Sequence, residues 1–99
     1  MAEISVSSSD PAGGGDLLFH VEVRDGGTTT THDVTVPPGL AARLGWTAGA
    51  EDLVRASFEF LLEREPATSI LRRFSLDVIG GYFPEYLPEM RRRRGGGGA

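Results

Sequence analysis

Between positions 17 and 36 the chain alternates apolar and polar residues on both sides of Asp25-Gly26-Gly27, and that pattern restricts the local fold severely. Side chains of an extended strand point to opposite faces with a period of two. Leu17, Phe19, Val21 and Val23 therefore share one face, while Leu18, His20, Glu22 and Arg24 share the other. The returning segment sets Thr30, His32, Val34 and Val36 against Thr31, Asp33 and Thr35. The glycines between supply the positive φ that a tight turn needs. A β-hairpin is predicted, and a hairpin alone is marginal in water, so another element has to cover its apolar face.

The cover comes after Pro37-Pro38, where the period changes. GLAARLGW suits a short helix through Leu40 and Leu44, ended by Gly45. Thr47 is a candidate N-cap for AEDLVRASFEFLLEREP, with Glu51 and Asp52 in a first turn whose dipole favours acids. Leu53, Val54, Ser57, Phe58, Leu61 and Leu62 make a broad apolar stripe on it, Arg55, Glu59 and Glu63 lie opposite, and Pro66 stops it. Ahead of the hairpin, EISVS alternates and suits an edge strand, and the stretch 10–16 (DPAGGGD) reads as a loop. Beyond Pro66, Ser69 is expected to cap a turn of helix holding Ile70, Leu71 and Phe74. Ser75 is expected to cap another, which Gly80-Gly81 breaks or bends, with Pro84 opening a further turn. The fold expected is α+β and two-layered: a small antiparallel sheet packed on one main helix, with short C-terminal helices. One domain over 1–90 is expected, followed by a basic, glycine-rich tail over 91–99.

Composition removes several chemistries. The 99 residues include no cysteine, so disulfides, thiolate metal sites and a cysteine nucleophile are out. Every basic residue is arginine, which leaves no lysine for a Schiff base or a P-loop. No apolar run reaches the ~18 residues of a membrane span, and MAEISVSSSD does not read as a secretory signal. A cytoplasmic protein without cofactor, metal or membrane contact is the expectation. All 14 acidic residues and six of the 10 basic ones lie at or before Met90, which puts the body at −8 and the tail at +4. A body so charged repels nucleic-acid phosphates.

No catalytic set assembles. His20 and His32 fall on opposite faces of the hairpin, so one metal could not be held by both. His32 reads as a partly buried, hydrogen-bonded ring rather than a catalytic base. A hydrolase built on His32, Asp33 and a threonine is the remote option, and no nucleophile elbow accompanies it. The glycines of AGGGD are followed by an aspartate and a strand, which is wrong for a phosphate loop.

Two features remain. Arg91, Arg92, Arg93 and Arg94 form the one basic run, able to neutralise about four phosphates or to fold back on the acidic body. The aromatic cluster divides: Phe74 and Phe83 read as core, while Trp46, Tyr82 and Tyr86, with Leu87 and Met90, read as a protein contact surface. The function expected is a non-enzymatic protein-interaction module, a homodimer or the partner of a larger protein. The alternative is an antitoxin-like, nucleic-acid-associated regulator acting through the arginine run.

The segment SFEFLLEREPATSILRRFSLDVIGGYFPEY, positions 57–86, resembles the C-terminal half of a group of small prokaryotic proteins. In these, a helix ending FLLEREP leads into SIL..F.L..I..YFPEY. The likeness covers about a third of the chain and implies only that order of elements, with no function and no site residues attached.

Overall fold

The computed structural model describes residues 2–9, 17–37, 39–46 and 49–93. The loop expected over 10–16, the N-cap expected at Thr47, and Arg94 with the rest of the tail lie outside the described residues.

Three strands form an antiparallel meander: β1 (Ala2–Ser9), β2 (Leu17–Asp25) and β3 (Thr28–Val36). The register pairs Val21 with His32, Phe19 with Val34 and Ile4 with Val23, which places these residues on one face. The expected alternation holds. Phe19, Val21, Val23, His32, Val34 and Val36 are buried, while His20, Arg24 and Thr31 are exposed on the other side. Leu17, at the open end of its strand, is exposed despite its phase. Gly26 carries the turn with φ of 63°.

Helix α1 (Leu40–Arg43) ends at Gly45, whose φ of 75° is the left-handed geometry a C-terminal glycine supplies. Helix α2 (Ala50–Leu62) lays Leu53, Val54, Phe58 and Leu61 into the core. The stripe is wider than expected, because Phe60 is buried as well. The ring of Phe58 stands 5.2 Å from that of His32 on the sheet side, whereas Phe60 lies 5.4 Å from Tyr86 and 5.8 Å from Phe83. The helix is thus covered on two sides. Arg55 ties it to the sheet, its Nη1 donating to the Ile4 carbonyl at 2.6 Å.

The segment after Pro66 departs from expectation. Ala67–Ser69 is a single 3₁₀ turn, and Ile70, Leu71 and Phe74 do not share a helix. Residues Arg73–Ser75 instead form β4, parallel to β3, with Asp33, Val34 and Thr35 opposite Arg73, Phe74 and Ser75. The sheet is therefore mixed, in the order β1-β2-β3-β4, rather than wholly antiparallel. A parallel neighbour needs a long crossover, and α2 provides it. Helix α3 (Ile79–Tyr82) follows a 3₁₀ turn at Leu76–Val78 and runs through Gly80-Gly81 without a break. Helix α4 (Tyr86–Arg93) closes the core and carries Arg91, Arg92 and Arg93, so the domain limit expected at Met90 falls inside a helix. Among the described residues, no helix is long and apolar enough to cross a membrane.

Candidate functional site

The histidines separate as the hairpin phase requires. His20 lies on the open face, its Nδ1 3.0 Å from Asp33 Oδ1 on the neighbouring strand. His32 is in the core with both ring nitrogens engaged. The Leu71 carbonyl, 2.8 Å from Nδ1, can only accept, so Nδ1 carries the proton. Nε2 then accepts from the Thr30 hydroxyl at 2.9 Å. Burial lowers the pKa of His32 and keeps the ring neutral, with the Leu71 hydrogen bond opposing in part. A hollow of about 260 Å³ adjoins this ring, walled by Thr29, Thr30, Thr31, Thr68 and Arg72. Asp33 sits on the reverse face of the sheet with His20, so His32 and Asp33 do not assemble with a threonine. Among the described residues, no three His, Asp or Glu side chains group as metal ligands.

The expected contact surface is half core. Trp46, Tyr86 and Met90 are buried, which corrects the expectation that they face a partner. For Tyr86 and Met90 the reason is the second covered side of α2. Ser57 donates to the Leu53 carbonyl at 2.8 Å, which leaves its oxygen to accept from the Tyr86 hydroxyl at 2.8 Å. Met90 Sδ lies 3.7 Å from the same serine oxygen. Burial pushes the Tyr86 phenol up to about 12. The Tyr86 hydroxyl is thus satisfied inside the core. Trp46 is buried with its Nε1 unpaired among the described residues.

Tyr82 and Leu87 do reach solvent, at 70% and 40% exposure. They are joined by Leu71 at 52% and Val78 at 39%. Leu71, Val78 and Tyr82 line an apolar cleft of about 340 Å³ whose floor is Leu61, Ile70, Phe74, Ile79 and Phe83. Phe74 brings β4, the last strand of the sheet among the described residues, to the cleft. Glu65 and Ser69 supply its polar edge. Contiguous exposed apolar surface of this kind is the usual mark of a contact site. Leu71 as a surface residue was missed in the sequence because its spacing with Ile70 and Phe74 suits a buried helical face.

The arginine run is largely spoken for. Arg92 Nη2 donates to both Glu89 oxygens at 2.6 Å. Arg93 reaches Glu89 at 2.8 Å and Glu63, on α2, at 2.9 Å. These bonds hold the Glu89 carboxyl down at about 2. Arg91 is exposed, with no ion pair among the described residues. The fold-back on the acidic body is the arrangement observed.

No family model matches the chain, and neither a curated protein nor a solved structure matches it. The site is therefore read from its own geometry.

Proposed function

We propose that the chain is a protein-interaction module that engages another protein through the apolar cleft bordered by Leu71, Val78 and Tyr82. The observation that carries this reading is the three exposed apolar side chains, Leu71, Val78 and Tyr82, that line one cleft. Among the described residues, Asp33 is bonded to His20 on the reverse face, so it does not back the Thr30–His32 pair. A net charge of −4 opposes the approach of a second copy, so a different protein is the favoured occupant. The test compares the wild-type chain with Val78→Asp, each shown to melt at the same temperature. Wild type is expected to retain a partner that Val78→Asp releases. A wild-type chain that is monomeric in light scattering at every concentration, and that holds no protein the variant fails to hold, refutes the reading.

The regulator reading has less support. Arg92 and Arg93 would have to leave Glu89 and Glu63 before they could neutralise phosphates.

A further inference from the structure

The cleft opens beneath an unpaired strand edge. Asp33 N–H donates to the Arg72 carbonyl at 2.7 Å, which fixes the phase of the parallel pairing. In that phase the backbones of positions 72 and 74 face β3, and those of Arg73 and Ser75 face outward. Among the described residues, the outward N–H groups of Arg73 and Ser75 and the Arg73 carbonyl meet no partner. Among the described residues β4 is the last strand in the order, and Leu61 of α2 with Ile79 and Tyr82 of α3 lines the cleft beside it. The side chains then sort by face. Phe74 points to the core, 6.0 Å from Phe58, and Arg73 lies on the open face. Arg73 makes no ion pair among the described residues, and its cross-strand neighbour Asp33 stands 3.0 Å from His20.

The geometry points to strand addition: an extended segment of a partner protein pairs with β4. Alternate apolar side chains of that segment drop into the cleft, and a carboxylate between them faces Arg73. Backbone bonds to Arg73 and Ser75 supply the anchoring, and the cleft with Arg73 supplies the choice of sequence. This deepens the interaction reading and rests on it.

The test uses the full chain and two labelled pentapeptides, Thr-Val-Glu-Val-Thr and Thr-Val-Lys-Val-Thr. The acidic body by itself favours the lysine peptide, so a preference for glutamate reports Arg73. The glutamate peptide is expected to bind saturably in fluorescence anisotropy, up to about fivefold tighter than the lysine peptide. Arg73→Glu should reverse the order. Hydrogen exchange at the amides of Arg73 and Ser75 in the wild-type chain should slow on binding. Ser75→Pro removes one outward N–H and should weaken binding about tenfold relative to Ser75→Ala, which keeps that N–H and loses the same hydroxyl bond to Asp77, both read at a temperature where each is folded. If the peptide binds while both amides exchange as before, strand addition is overturned and the cleft surface stands. If neither peptide binds, or lysine is preferred, the proposal is overturned, and the cleft is judged by Val78→Asp alone.

Discussion

Tyr82 and Tyr86 stand four positions apart and have opposite fates. Tyr86, the first residue of α4, is sealed against α2 with its hydroxyl on Ser57, whereas Tyr82 stands in solvent at the mouth of the cleft. Tyr86→Phe is expected to cost about 1 kcal/mol for one buried hydrogen bond, and Tyr86→Ala about 3–5 kcal/mol for the cavity. Tyr82→Ala should stay within about 0.5 kcal/mol of wild type in urea denaturation while weakening partner binding. Tyr86 also gives the fold an alkaline limit. Its folded pKa is raised, so its contribution is complete below the unfolded value of about 10 and is lost as pH rises through about 12. His32 acts at the other end. Its folded pKa is lowered, so the unfolded chain takes up the proton first, and stability falls as pH drops below about 6.5. Melting should be lower at about pH 5 than at about pH 7.5, and the difference should shrink in His32→Gln.

At the scale of elements, the two edges of the sheet are managed differently. β1 is an eight-residue edge strand, and one of its carbonyls is taken by Arg55 from the main helix. β4 is three residues long and lets an uncovered cleft stand beside it. A charged donor on a backbone carbonyl is worth about 1.5–3 kcal/mol. Arg55→Met should therefore speed amide exchange along β1 well before it affects β2 or β3, an ordering that hydrogen-exchange mass spectrometry resolves. Uniform acceleration across all the strands would show that β1 unfolds only with the whole sheet. The last helix is pinned in a comparable way, through Arg93 to Glu63 on α2 and to Glu89 within α4.

At the scale of the whole molecule, the charges are arranged to close the fold. Arg92 and Arg93 meet Glu89 and Glu63, so part of the basic run is cancelled by the acidic body across α2 and α4. From that arrangement, neither the full chain nor one ending at Met90 should shift a nucleic-acid probe at low salt. A shift by the full chain that the shorter one lacks would revive the regulator reading.

The amino-acid sequence alone determined whatever depends on neighbours along the chain. The alternation around Gly26 made the hairpin and decided that His20 and His32 would part. The stripe from Leu53 to Leu61, stopped by Pro66, made the covering helix. Those signals are periodic and local, so the residues themselves carry them. Tertiary structure decided the rest. Arg73, Phe74 and Ser75 are too few to show a period, and they became a strand because Val34 and its neighbours offered an edge to pair with. Tyr86 and Met90 read as contact surface until Phe60 and Ser57 gave α2 a second buried side. Burial is a property of what arrives from elsewhere in the chain, and no spacing within twenty residues encodes it. The exposed face at Leu71, Val78 and Tyr82 is what remained after that packing was complete.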